Sequence, residues 1–162
     1  MRFFGLFEGI GGFRVAAERF GWTSVGYCEK DELALQSYRT NFNLDGEFFH
    51  ADAKTLDPNK IPDFDVLFAG FPCQPFSMAG KRLGFKDARG TLFYDVLRIL
   101  KARNPKIFVL ENVTNLERHG NGSTLKLMLG LLGSTINGNT VLDGSESLGY
   151  DVHHAILDSQ NF

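Results

Sequence analysis

The chain of 162 residues has only two cysteines, Cys28 and Cys73. That is too few for a disulfide framework, so a small cross-linked scaffold is excluded. Thiols that stay reduced fit a cytoplasmic protein. No apolar run approaches the ~20 residues needed to cross a bilayer, and the N-terminus lacks the basic and then apolar segments of a secretory leader. A cytoplasmic location without a membrane partner is the expectation. Excess positive charge is also missing: 17 Lys and Arg stand against 19 Asp and Glu, a net charge of −2. Nucleic-acid-binding domains are ordinarily basic, so any polyanion must be met by a local patch. Lys81, Arg82, Lys86 and Arg89 supply one. His50, His119, His153 and His154 do not cluster with either cysteine, and no metal site is expected.

What the chain does have is phenylalanine, sixteen in all, within an apolar share of 43%. That is enough to bury one domain's core, with aromatic packing dominant. Strand-like and helix-like segments alternate. Arg2 to Phe7, Ser24 to Cys28, Glu47 to His50, Asp65 to Ala69, Lys106 to Leu110 and Val152 to Leu157 read as strands. The fifth is nearly all apolar, so it is expected to be central and buried on both faces. After Gly11-Gly12 a helix carries Phe13, Ala16, Ala17 and Phe20 on one face. Asp31 to Asn41 carries Ala34, Leu35, Tyr38 and Phe42 as its stripe, and Thr91 to Ala102 turns Leu92, Val96, Ile99 and Leu100 inward. Ser123 to Leu132 is a further helix. Residues 71–90, rich in Gly and Pro, form a loop. Residues 133–147, rich in Gly, Ser, Asn and Thr, read as an exposed insertion.

This alternation predicts an α/β fold, an open, mostly parallel, doubly wound sheet. In such sheets ligands sit beyond the carboxyl ends of the strands. Five consecutive strands end in chemically able groups: Phe7 with the glycines, Glu29, Asp52, Pro72-Cys73, and Glu111-Asn112. Phe7-Glu8-Gly9-Ile10-Gly11-Gly12 is a glycine-rich turn. A dinucleotide fingerprint needs Gly at position 14, where Arg14 stands instead. Glu29 falls 20 residues after Gly9, where an acid accepts hydrogen bonds from ribose hydroxyls. Together these point to an adenosine-containing cofactor without a pyrophosphate. Cys28, inside a strand, reads as a small core residue. Cys73, stiffened by Pro72 and Pro75 and set at a strand end, reads as a nucleophile. Glu111, at the edge of an apolar run, is expected to be desolvated enough to hold a proton; capping a helix N-terminus is the structural alternative.

Phe7-x-Gly9-x-Gly11-Gly12, then Pro72-Cys73-Gln74, then Arg89-Gly90-Thr91-Leu92-Phe93, then Glu111-Asn112-Val113, in this order and spacing, resemble the successive motifs of the S-adenosylmethionine-dependent DNA (cytosine-5) methyltransferases. The resemblance runs from Arg2 to Phe162. It implies the Rossmann-like methyltransferase fold without the target-recognition domain, and S-adenosylmethionine as cofactor with S-adenosylhomocysteine as product. It implies that Phe7 lies against the adenine with Gly9, Ile10, Gly11 and Gly12 in the turn beside it. Glu29 would bind the ribose, next to Lys30, and Asp52 would accept from the adenine amino group, next to Ala53. Gly70, Pro72 and Leu92 would line the cofactor pocket. Cys73 would add to carbon 6 of a cytosine and Glu111 would engage its ring nitrogen 3, with Gln74, Ser77, Arg89 and Asn112 on the substrate.

The resemblance also implies partners. Double-stranded DNA is the expected substrate, in a restriction-modification setting or outside one. Family members continue past the segment corresponding to Phe162 into an arginine-bearing motif, a recognition domain and a closing segment. Activity is therefore expected to need that part, in cis or as a second polypeptide. Glu8 departs from the family pattern, which has a small residue there, and puts an extra negative charge beside the cofactor's carboxylate. Lys30 stands where some members present an aromatic face. Two further readings remain at this point: an RNA cytosine methyltransferase of the same family, and a non-catalytic S-adenosylmethionine-binding or interaction module.

Overall fold

The structure is a computed structural model and describes residues 1–72, 92–140 and 147–161. The described residues form two compact units, 1–72 with 92–112, and 113–161. Of the expected loop 71–90, residues 73–90, with Cys73, Gln74, Ser77, Arg89 and the basic patch, lie outside the described residues.

The first unit is a five-stranded sheet. Its strands are β1 (Arg2–Leu6), β2 (Thr23–Cys28), β3 (Phe48–His50), β4 (Val66–Gly70) and β5 (Ile107–Glu111), in the spatial order β3-β2-β1-β4-β5. Every pairing is parallel. All five carboxyl ends therefore lie on one edge, as the doubly wound reading requires.

The helices are α1 (Gly12–Arg19), α2 (Glu32–Asn41) and α3 (Leu92–Arg103). α2 matches its predicted stripe: Leu35 and Tyr38 are buried, and Phe42 packs against them with Tyr27 and Leu44. Asp31 caps it by accepting from the Ala34 amide at 2.8 Å, the usual service of an Asp at this position. In α3, Val96, Ile99 and Leu100 are buried as predicted, joined by Phe93 and Leu97.

α1 departs from its predicted face. Ala16 is exposed and Phe20 is 78% exposed, while the buried residues are Ala17 and the charged Arg14. Phe13 and Ala17 do pack on Phe3, Val66 and Phe68 of the sheet, with Trp22 alongside. The remaining inward position is taken by a guanidinium because its partners are polar. Arg14 Nε donates to Glu18 at 2.8 Å, Nη1 to the Tyr38 hydroxyl at 2.9 Å and to Glu47 at 3.0 Å, and Nη2 to the Asn43 carbonyl at 2.9 Å. Nη2 also meets the other oxygen of Glu47 at 2.9 Å. All five N–H groups of the fork are used, which is what permits an arginine 4% exposed. Its guanidinium carbon also lies 4.5 Å from the Phe42 ring centroid.

β5 is not central. It is an edge strand of this sheet, and Ile107 and Val109 are 38% and 41% exposed. An unbroken apolar run reports on the faces of a strand and not on how many strands pair with it.

The second unit carries α4 (Ser123–Leu132) and a three-stranded sheet in the order β7-β6-β8, with β6 at Gly133–Ile136, β7 at Asn139–Thr140 and β8 at Tyr150–Val152. Part of the segment read as an insertion is thus a hairpin. Asn137 and Gly138 take φ of 49° and 77° at its turn, the Asn-Gly signature of a two-residue connection. The last strand ends at Val152, not Leu157; Ile156 and Leu157 are exposed.

Two measurements check this account. Arg14→Met leaves Glu47 and Tyr38 without their donor, and breaking a buried pair in this way costs about 3–5 kcal/mol. Urea denaturation is expected to show that loss, and a change below about 1 kcal/mol would contradict the role given to Arg14. Cys28 is 1% exposed, and burial, with the charges of Glu29 and Asp52, pushes its thiol up to about 12. In a Cys73→Ala background, a thiol-alkylating reagent at pH 8 is expected to label Cys28 only after unfolding, because the thiolate is the reactive form. Stoichiometric labelling of the folded chain would contradict that burial.

Candidate active site

The turn after β1 starts with a residue in an uncommon conformation. Phe7 has φ 56°, Gly9 60° and Gly11 95°. Two of the three positions are glycine, which takes the left-handed region without cost. At Gly11 any side chain would also run into the ring of Phe42. The turn is closed by the Gly11 amide donating to the Glu8 carbonyl at 3.1 Å, and joined to β2 by the Glu8 amide donating to the Cys28 carbonyl at 3.2 Å. Gly12 opens α1, and Ile10 stands 65% exposed at the tip.

Glu29 sits directly after β2 and is held by backbone donors. Gly9 N–H donates to its Oε2, and Lys30 and Asp31 N–H both donate to Oε1, each at 2.7 Å. Charge-assisted bonds of this length fix a carboxylate firmly. The bond to Gly9 also ties the acid to the glycine-rich turn. Oε2 keeps a lone pair for a further donor.

Asp52 follows β3. Its Oδ1 accepts from the Lys54 amide at 3.0 Å and its Oδ2 from the Lys30 ammonium at 2.7 Å. Lys30 chiefly, then Lys54, hold its carboxyl below the usual range, so it is an acceptor at neutral pH. The next residue, Ala53, is buried, and its carbonyl accepts from Arg98 of α3 at 2.7 Å. Lys30 thus reaches from one acid to the other, with its amide on Glu29 and its ammonium on Asp52. No sequence pattern signals this bridge.

At the other side of the edge, Gly70 pairs with Glu111 across β4 and β5. Glu111 Oε2 lies 3.4 Å from where a Cβ on Gly70 would be, so the small residue leaves room for that carboxylate. Glu111 is exposed. The burial expected for it does not occur, because β5 is an edge strand here. Asn112 Nδ2 donates to the Phe71 carbonyl at 2.7 Å, which fixes the chain two residues ahead of Cys73. Phe71 is buried against Phe93 of α3, with ring centroids 5.7 Å apart; Pro72 is exposed, and Leu92, which begins α3, is half-buried.

The structure therefore brings together two groups of the predicted residues. Phe7 to Gly12, Glu29, Lys30, Asp52 and Ala53 are linked across the ends of β1, β2 and β3. Gly70, Glu111 and Asn112 are linked across β4 and β5. Among the described residues, no group of His, Cys, Asp and Glu is arranged to hold a metal ion, and no helix is long and apolar enough to cross a membrane.

Glu8 departs from the expectation of an extra negative charge beside the cofactor. Its carboxyl does not project beside a cofactor but folds back over β1, into the space a side chain on Gly5 would need. It is 5% exposed. Burial pushes its pKa up to about 8 against the pull of Arg14. At neutral pH it is mainly uncharged, so the expected repulsion of a cofactor carboxylate does not arise.

Comparison with known proteins places this geometry in a family. The model of the C-5 cytosine-specific DNA methylases matches residues 1–162. The chain is similar to the Type II methyltransferase M.NgoBI of Neisseria gonorrhoeae, 45% identical over 157 residues, covering 97% of this chain and 44% of that protein. It is 46% identical over 157 residues to M.HaeII of Haemophilus aegyptius, again covering 97% and 44%. M.HhaI of Haemophilus parahaemolyticus is 40% identical over 162 residues, covering all of this chain and 45% of that protein. The chain thus spans less than half the length of these relatives. Among solved structures, S. pombe Dnmt2 methyltransferase aligns at a TM-score of 0.60 with 25% identity, over 82% of this chain and 42% of that one. A putative DNA modification methyltransferase encoded within an E. coli prophage shares the fold at a TM-score of 0.60 with 20% identity, over 79% of this chain and 36% of that one. With five parallel strand ends carrying the motifs in family order, the chain belongs to the C-5 cytosine-specific DNA methylases.

Proposed function

We propose that this chain is the cofactor-binding and catalytic part of an enzyme that methylates carbon 5 of cytosine in DNA. The observation that carries the reading is the shared edge. The glycine-rich turn, Glu29 and Asp52 adjoin one another at the ends of β1, β2 and β3, and Glu111 and Asn112 stand at the end of β5, in the same sheet.

The residues present fit S-adenosylmethionine. A cis-diol needs a firmly placed acceptor, and Glu29 is fixed by three backbone amides with acceptor capacity left. An exocyclic amino group needs a second acceptor, and Asp52 supplies it. Gly9, with open space where a Cβ would be, lets a ligand approach the backbone. Phe7, Ile10, Gly11, Gly12, Lys30, Ala53, Gly70, Pro72 and Leu92 complete the proposed lining. When bound, the cofactor supplies an electrophilic methyl group.

Cytosine carbon 5 is too weak a nucleophile to accept that group unaided. In the proposed mechanism the Cys73 thiolate adds to carbon 6 and pushes electron density onto carbon 5. A proton on Glu111, donated to ring nitrogen 3, offsets the negative charge that develops there; the exposure of Glu111 at the strand end leaves it accessible to the nucleobase. Once carbon 5 is methylated, its proton leaves to a base and the Cys73 sulfur departs as thiolate. Gln74, Ser77, Arg89 and Asn112 hold the substrate. Neither face of a stacked base is open to these groups, so the cytosine is flipped out, at a cost of a few kcal/mol. A domain of net charge −2 gains little from phosphate contacts. We therefore assign the remaining hold on DNA to the additional length that the relatives carry.

Duplex DNA containing 5-fluorocytosine tests the nucleophile, because fluorine does not leave as the proton does. With the chain supplemented by a polypeptide carrying the family's remaining motifs, mass spectrometry is expected to find the trapped adduct on Cys73. Cys28→Ala leaves trapping intact. An adduct that persists in Cys73→Ala contradicts the role. Glu29→Ala is expected to weaken S-adenosylmethionine binding at least tenfold in a calorimetric titration, since hydrogen bonds to a charged acceptor contribute about 1.5–3 kcal/mol each; an unchanged dissociation constant contradicts the ribose assignment.

A further inference from the structure

Glu8 is a buried acid that the proposed chemistry does not use. Phe7, at φ 56°, reverses the chain so that the Glu8 side chain lies under the glycine-rich turn and over Gly5 of β1. Neither carboxyl oxygen reaches a hydrogen-bond partner at full geometry, and Arg14, through its guanidinium and its backbone amide, is the one residue that favours the charged form. The titratable and charged groups facing it are Arg14 from α1, Tyr38 from α2, Glu29 at the end of β2 and Glu47 ahead of β3. Arg14 is the natural counter-ion, but its donors are spent on Glu18, Tyr38, Glu47 and the Asn43 carbonyl. Glu29 and Glu47 repel a negative charge. Burial outweighs what Arg14 offers an ionised Glu8, whereas a neutral acid of the same shape fills the space.

The backbone on both sides of this side chain builds the candidate site. The Glu8 amide is bonded to Cys28, the Glu8 carbonyl to the Gly11 amide, and the Gly9 amide to Glu29. Movement of the side chain into water therefore pulls on the turn and on the Glu29 contact together.

We propose that Glu8 is a positioning residue that makes cofactor binding sensitive to pH: its neutral acid holds the glycine-rich turn in the binding shape, and loss of the proton drives the side chain out and releases the cofactor. This rests on the reading of the turn as the cofactor's seat. The direction follows from linkage. The acid ionises near 4.5 when exposed and at about 8 when buried here. Folding retains a proton between those values, so the stability due to Glu8 is fully present below about 4.5 and lost as pH rises through about 8.

The test is S-adenosylmethionine affinity by calorimetry from pH 6 to pH 9.5, for the intact chain and for Glu8→Gln, a neutral isostere. The ligand's own amino group titrates in this range but cancels in the ratio of the two proteins. The intact chain is expected to lose about tenfold in affinity relative to Glu8→Gln between pH 7 and pH 9, as ionisation at about 8 requires. Parallel profiles overturn the proposal. So does relative affinity that rises through pH 8, which would make Glu8 a carboxylate partner for the cationic cofactor. If neither protein binds the ligand at pH 7, the cofactor reading fails by itself. Denaturation midpoints then decide on Glu8. Glu8→Gln gaining stability over the intact chain between pH 5 and pH 8 supports the buried acid, and a constant difference overturns it.

Discussion

The fold of the first unit depends on one guanidinium. Arg14 stands where a dinucleotide-binding turn requires glycine, and its fork joins α1 to α2 through Tyr38 and to the approach of β3 through Glu47 and Asn43. These elements meet on one side of the sheet, next to the turn that follows β1. A hydrophobic residue at this position would pack without setting direction; five donors with fixed geometry admit one arrangement. The carboxyl edge inherits that arrangement, because Glu29 and Asp52 stand at the ends of the strands that flank α2.

That constraint has an electrostatic consequence. Arg14 is the cation that acts on the acid following Phe7, but the donors of its guanidinium are committed elsewhere. Burial outweighs its pull, and the acid stays protonated near neutral pH. Glu29 shows the opposite solution. It is half-buried, yet three backbone amides keep it fixed as an acceptor. Two acids 21 residues apart, both in contact with the same turn, differ because one is held by three backbone amides and the other is buried over Gly5 with Arg14 alone to favour its charge. Backbone geometry, not residue type, sets what each carboxyl does.

Much of this was legible in the sequence. Strand-helix alternation gave a parallel sheet, and the stripe of Leu35 and Tyr38 gave the buried face of α2, because apolar periodicity reports burial directly. The strand ends placed Glu29, Asp52 and Glu111 on one edge. The misreadings share a cause. Periodicity gives α1 an apolar face through Ala16 and Phe20, but a buried arginine takes one inward position, and periodicity counts only apolar residues. Apolar residues alone make β5 look central, yet among the described residues it is an edge of its sheet. The hairpin of β6 and β7 was hidden by polar composition, although Asn137-Gly138 marks its turn. Neither the burial of Glu8 nor the Lys30–Asp52 bridge has a sequence signature, since both depend on which way the side chains lie relative to the turn.

The central claim is that the edge formed by the glycine-rich turn, Glu29 and Asp52 is an adenosyl site already shaped in the free chain. A crystal structure of the chain with S-adenosylhomocysteine, the cofactor without its transferable methyl, tests this most directly. The account predicts the ribose hydroxyls on Glu29, the adenine amino group on Asp52, and the turn from Phe7 to Gly12 unchanged with its Gly9–Glu29 bond intact. Ligand bound elsewhere, or seated there only after the turn has been rebuilt and that bond broken, would contradict it.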